Sequence, residues 1–368
     1  MKRFVLVVAS ILLSLVAPSA LAGIQFPKAT FAGVIGGDTP DQQGSFSVKT
    51  TATGAYTAKV KLGSRSASLS GQFDQNFHVD DTITYRPLPF VAIDIHLIMD
   101  LDPTGERIIG TVQTEAINNG NAIPFTLYQV FKYTTQNPAP QAGRFTGLFT
   151  KLDGSSPEGT GVASAKVSKN GNVRLVGVLP DDSKISTGGN LSPGGVFPIF
   201  NVLYSKHGAF AGFAQFHGNQ AGNTSITVGA DTEEQGILWV KTGGDSFTGH
   251  ERLVLQRYTP PAEGKRPLGS LNASNGAATF SLTGGGLAST FNKAISVSTS
   301  NKVSVTDGGG NEENLRISLS PKTGLLTGTL TLDEKRSFNL VVLQDTGAIS
   351  GFFVGSAGAG DASITPAP

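Results

Sequence analysis

The 368-residue sequence contains no cysteine. That excludes disulfides, thiolate metal sites and any lipid anchor that needs a cysteine at the cleavage point. A chain without cross-links must rest on its own hydrophobic cores, and this one is long enough for two or three domains of about 100–150 residues each. Charge is scarce as well. Only 15% of residues are Asp, Glu, Lys or Arg, and the formal net charge is +1. No basic excess exists to draw nucleic acid or an anionic lipid surface, so the sequence predicts no nucleic-acid partner.

Catalytic signatures are missing too. There is no Gly-x-Ser-x-Gly elbow, no Ser-x-x-Lys, no His-Glu-x-x-His and no Walker loop. Lys322-Thr323-Gly324 matches one element of the penicillin-binding and β-lactamase set, but it also reads as an ordinary turn. The sequence therefore predicts no enzyme and no cofactor.

The one long apolar run lies at the N-terminus. Lys2 and Arg3 precede an apolar stretch over 4–16, and Ala20-Leu21-Ala22 supplies small residues before Gly23. This pattern predicts a signal peptide over 1–22, hence export to the periplasm, cell surface or extracellular space. The run is shorter than the roughly 18–20 residues of a membrane span. Cleavage would leave no transmembrane helix and, without Lys2 and Arg3, a net charge of about −1.

Glycine, in contrast, is abundant, with 47 residues. It recurs in a fixed pattern of Gly, any, apolar, small, Gly, any, apolar. The copies begin at Gly143, Gly208, Gly324 and Gly347, with second glycines at Gly147, Gly212, Gly328 and Gly351. The first glycine is read as a turn residue that tolerates positive φ. The second shares a strand face with flanking apolar residues, as Gly147 does with Phe145 and Phe149, so it is read as a bend or an aromatic seat.

Period-two alternation runs between these glycines, and no segment sustains a helical period. Residues 91–101 alternate most cleanly, and Asn170-Gly171 between 163–167 and 173–179 signals a type I′ hairpin. The expected fold class is all-β: an antiparallel meander of many short strands forming curved β-barrel or rolled-sandwich modules, with very little helix. Proline-bearing links around 137–140 and 258–264 divide the mature chain into modules over 23–136, 141–258 and 265–368. Modules two and three could instead close as one barrel. Each is expected to open on a strand with an early glycine: Gly33, Gly147 and Gly269.

The stretch Arg144-Phe145-Thr146-Gly147, then Pro157-Glu158-Gly159-Thr160-Gly161, Phe197-Pro198-Ile199-Phe200 and the run Phe338 through Gly355 carry a resemblance. The chain resembles a group of uncharacterised exported bacterial β-repeat proteins, whose modules often follow extracellular repeats. The resemblance implies export and an all-β architecture, and it brings no residue with an assigned role.

The polar constellation that stands out is Asp94, His96 and Asp100, with Asp102 beyond, all on one parity of the strand at 91–101. Asp94 beside His96 could bind a metal or share a proton, but the solvated face of an amphipathic strand is the favoured reading. Asp100-Leu101-Asp102-Pro103-Thr104-Gly105 begins like a calcium loop but lacks the closing acidic ligands, which leaves a β-turn and no metal site. Trp239 is the only tryptophan, a candidate sugar platform or a core ring.

From these readings the expected function is that of an exported, non-enzymatic β-repeat protein with a structural, adhesive or interaction role, acting on a cell-surface or extracellular polymer. A carbohydrate-binding module and an outer-membrane barrel are the alternatives.

Overall fold

The computed structural model describes residues 25–63, 65–85, 93–113, 121–216, 225–228 and 236–368, so the expected signal peptide, Val91 and His217 lie outside the described residues. Alternating sequence becomes an antiparallel sheet three times. The first comprises β1 (Thr30–Ile35), β2 (Gly44–Thr50), β3 (Ala55–Leu62), β4 (Arg65–Gln72), β5 (His78–Tyr85), β6 (Ile93–Leu101), β7 (Arg107–Gln113) and β8 (Ala122–Gln129).

The second comprises β9 (Gly143–Gly154), β10 (Thr160–Val167), β11 (Asn172–Val178), β12 (Lys184–Asn190), β13 (Val196–Leu203), β14 (Gly208–Gln215), β15 (Ser225–Val228), β16 (Ile237–Lys241) and β17 (Phe247–Arg257). A short helix, α1 (Gly269–Ala273), precedes the third. That sheet comprises β18 (Ala277–Gly284), β19 (Phe291–Val297), β20 (Val303–Val305), β21 (Arg316–Ser320), β22 (Leu325–Thr331), β23 (Lys335–Leu343), β24 (Ala348–Gly355) and β25 (Gly358–Pro366).

One topology serves all three. Consecutive strands pair along the chain except around β15, where β14 pairs with β16 and β15 with β17. The first strand of each sheet pairs with the last: β1 with β8, β9 with β17, β18 with β25. The ladder is interrupted once per sheet, at β4/β5, β12/β13 and β20/β21. Each unit is thus an up-and-down barrel with one open seam, as the meander read from the sequence requires. At the second seam a side chain replaces the ladder, the Ser186 backbone N–H donating to Asn201 Oδ1 at 3.0 Å.

Alternation gives each barrel a packed interior. Phe46 and Phe125 meet edge to face in the first, Phe149 and Phe210 in the second, and Phe280 packs on Phe338 in the third. The segment before each barrel enters its core: Phe26 in the first, Tyr133 in the second, Leu268 and Leu271 in the third. Outward positions of β2 to β4 are instead mostly Ser, Thr and Lys. Among the described residues no helix is long and apolar enough to cross a membrane.

The glycines divide by role. Gly324 and Gly347 lie at φ +70° and +69°, where a Cβ is disfavoured, and each makes a hairpin turn. Gly208 does not make its turn. Tyr204, Ser205 and Lys206 do so at positive φ, and Gly208 is small because Tyr204 and the Val240 carbonyl crowd it. Gly143 is extended at the start of β9. Gly269 differs from the sequence expectation: it opens α1 rather than a strand.

The second glycine of the pattern allows close approach. A Cβ on Gly147 would lie 2.0 Å from the Val254 carbonyl oxygen, and one on Gly351 would lie 2.1 Å from that of Asn339. On Gly328 it would strike the Phe338 ring, while on Gly212 it would press on Ile237. Gly351 has a further consequence, since its Cβ would also lie 2.9 Å from Val162 of the second barrel. There the outer faces of barrels two and three meet through Val162, Val341, Leu343 and Phe352, all buried. Thr146 Oγ1 donates to the Val342 carbonyl at 2.6 Å and Ser164 Oγ to the Thr323 carbonyl at 3.0 Å across this contact. Apolar burial and satisfied hydroxyls make it a dry joint.

Candidate functional site: a cleft between the first two barrels

Barrels one and two touch more sparingly. Tyr128 meets Phe213 edge to face at 5.3 Å, and the Phe131 N–H donates to the Leu191 carbonyl at 3.0 Å. Beside these contacts an open cleft of about 900 Å³ separates the outer face of β1–β4 from β12 and β13. Strand register builds its first wall. Ser47, Lys59 and Ser68 lie opposite one another across β2, β3 and β4, and so do Ser45, Lys61 and Ser66. Because facing residues in adjacent strands share a side, each rung presents hydroxyl, ammonium, hydroxyl.

The second wall is the seam of barrel two, with Thr187, Gly188, Pro198 and Phe200. β12 pairs only with β11 and β13 only with β14, so each has one edge without a ladder. Lys61 Nζ sits 5.6 Å from the centre of the Phe200 ring, a cation–π contact bridging the walls. The electrostatics are one-sided. Residues 44–72 carry Lys49, Lys59, Lys61 and Arg65, residues 184–203 carry Lys184, and neither segment contains Asp or Glu. Among the described residues no carboxylate pairs with Lys59 or Lys61.

Asp94, His96 and Asp100 do share the outer face of β6, but they do not converge. His96 Nε2 donates to Asp80 Oδ1 at 2.7 Å and His78 Nδ1 to Asp100 Oδ1 at 2.6 Å, both partners lying on β5. The hydrogen bond to Asp80 raises His96 above the usual imidazole range, and that to Asp100 raises His78. Among the described residues no group of three His, Asp or Glu side chains could hold a metal ion. Asp102 binds the Thr104 backbone N–H at 2.8 Å within its β-turn.

Trp239 is not a surface platform. Its ring is fully buried in barrel two, packed edge to face on Phe247 at 4.9 Å, with Nε1 donating to Tyr204 Oη at 3.0 Å. Tyr204 in turn donates to Asp181. This chain explains why a core barrel residue carries an N–H: the donor is satisfied inside. Sequence reading passed over three buried charges. Arg336 holds Asp333 at 2.9 Å, Lys293 holds Glu313 at 2.8 Å, and Glu251 accepts from Ser156 Oγ at 3.0 Å. Inward parity beside Leu253 and Leu255 was the available signal for Glu251.

The chain matches no known protein family, and no curated protein matches it. Similar solved structures include transferrin binding protein B from Haemophilus parasuis, at 10% identity and TM-score 0.22 over 93% of this chain and 77% of that one. Transferrin binding protein B from Neisseria meningitidis is 8% identical, with TM-score 0.21 over 88% and 65%. A protein of unknown function from Nostoc punctiforme, of the DUF3598 family, is 8% identical, with TM-score 0.19 over 62% and 95%. At these scores the similarity assigns neither a family nor a function.

Proposed function

We propose that the protein is an exported, non-enzymatic binding protein that acts at or outside the cell envelope, with the cleft between barrels one and two as its binding surface. The three barrels are its domains, and barrels two and three work as one docked body. The observation that carries this reading is the cleft itself: about 900 Å³, walled by hydroxyls in register and by ammonium groups that no carboxylate pairs with among the described residues. Rigid strands hold those groups in register, which limits the conformational cost of binding.

The sidedness of the first barrel weighs against an outer-membrane barrel. Such barrels place an apolar band outside and polar groups inside, whereas here Phe46, Val48 and Leu97 face inward and Ser47, Lys59 and Ser68 outward. Burial of Trp239 removes the exposed ring that the carbohydrate-binding alternative called for, and agrees with its reading as a core ring.

Filling the cleft tests the proposal. Ser47→Trp should release the protein from envelope or extracellular material that retains the wild type. Equal retention of both would count against the cleft.

A further inference from the structure

We propose that the cleft binds an acidic polysaccharide, a chain carrying carboxylates on hydroxylated rings. This rests on the cleft being the binding surface, and it follows from which groups stand beside which. Lys59 and Lys61 are successive outward residues of β3, so their stems are about 7 Å apart. Serines 47 and 68 flank Lys59, and serines 45 and 66 flank Lys61, at the roughly 5 Å spacing of neighbouring strands.

An ammonium has three donors and no acceptor, whereas a hydroxyl both donates and accepts. A carboxylate meets the first need, but it cannot donate to the serine oxygens. A ligand with carboxylates and hydroxyls together satisfies both. A phosphate polymer or an acidic peptide side chain leaves the serine acceptors unused. The opposite wall suits the same ligand, because Thr187 adds a hydroxyl, the unladdered strand edges add backbone donors and acceptors, and Pro198 with Phe200 offers apolar surface to the C–H faces of a sugar.

Size separates a polymer from a single sugar. The cleft volume of about 900 Å³ is at the upper end of the roughly 300–1,000 Å³ of small-ligand sites. It is also open, so a chain can enter and leave it. The whole protein is nearly neutral, whereas the segments that wall the cleft carry lysine without Asp or Glu. The cleft can therefore attract an acidic chain although the protein carries little net charge.

The test is titration calorimetry of the mature protein with oligogalacturonate, its methyl ester, polyglutamate and polyphosphate. Oligogalacturonate should bind. Its methyl ester, which keeps the ring hydroxyls and removes the charge, should bind about tenfold or more weakly, and Lys59→Gln with Lys61→Gln should cause a similar loss for the acid. Both lysines are exposed, so circular dichroism of the double variant should match the wild type.

Equal binding of acid and ester, abolished by Ser47→Trp, would keep the cleft as the binding surface and overturn the acidic class. Polyglutamate or polyphosphate binding as tightly as oligogalacturonate would overturn the role of the hydroxyls. Binding that neither the lysine variant nor Ser47→Trp alters would overturn the cleft as well, and no binding by any of the four probes would overturn the inference outright.

Discussion

Glu251→Gln should stabilise the protein at alkaline pH and change little in acid. The Glu251 side chain is fully buried in barrel two, opposite Lys151, with Ser156 donating to Oε1 and Oε2 unpartnered among the described residues. Burial pushes its carboxyl from the ordinary 4.5 up to about 7, against the opposing pull of the Ser156 hydrogen bond and of Lys151, with Glu158 adding to the rise. Between those two values the folded protein binds a proton that the unfolded chain has released. Stability therefore falls as pH rises through this window, and the loss is complete above it. Two to three pKa units at 1.36 kcal/mol each give about 3 kcal/mol.

Glutamine is neutral throughout and nearly the same shape, so it escapes that loss. Urea unfolding from about pH 4.5 to about pH 8.5, followed by fluorescence, measures it directly. Trp239 is the only tryptophan and is buried in the same barrel, so its signal reports the relevant unit. Curves for the two proteins that stay parallel with pH, or a variant less stable in alkali, would refute the reasoning.

Gly351→Val should destabilise by about 3 kcal/mol or more, because the new side chain meets the Asn339 carbonyl and Val162 at once; unfolding and limited proteolysis should show barrels two and three loosened together. Gly347→Ala, with open space but φ +69°, should cost only about 1 kcal/mol by the same measurement. His96 should titrate above 6.5 by NMR and return toward it in Asp80→Asn; its small stabilising contribution is present below 6.5 and fades as pH rises through the raised value. Trp239→Phe should cost about 1–3 kcal/mol in thermal unfolding, through reduced contact with Phe247 and loss of the N–H donor to the Tyr204 oxygen, which keeps its own donation to Asp181.

Local grammar was legible in the sequence because strands and turns are local. The alternation ending at Leu101 is the inside–outside pattern of β6, and the hairpin expected at Asn170-Gly171 does join β10 to β11. It is not the type I′ turn: Asn170 is not at positive φ, and the Gly171 N–H donates to the Ser168 carbonyl to close a type I turn, with Gly171 at φ +76°. Pairing across barrels was not legible. Asp94 and His96 are neighbours in sequence, yet the hydrogen bonds that set His96 and Asp100 come from Asp80 and His78 on the adjacent strand, a matter of register. Trp239 could be placed in a strand, but its side of that strand depends on Tyr204 and Phe247 arriving from elsewhere. Gly269 follows the same local pattern as Gly33 and Gly147, but it starts a helix because Leu271 is drawn into the core of the third barrel. The cleft needs residues from 45–68 and 187–200 in different barrels, which no local periodicity can bring together.

Hydrogen–deuterium exchange with and without oligogalacturonate tests the central claim most directly, because it asks where a ligand sits without altering the protein. The account predicts protection confined to β2–β4 of the first barrel and to β12 and β13 of the second, with the histidine-bearing face of β5 and β6 unchanged. Protection centred on that face or on the third barrel, with the cleft strands exchanging as before, would contradict it.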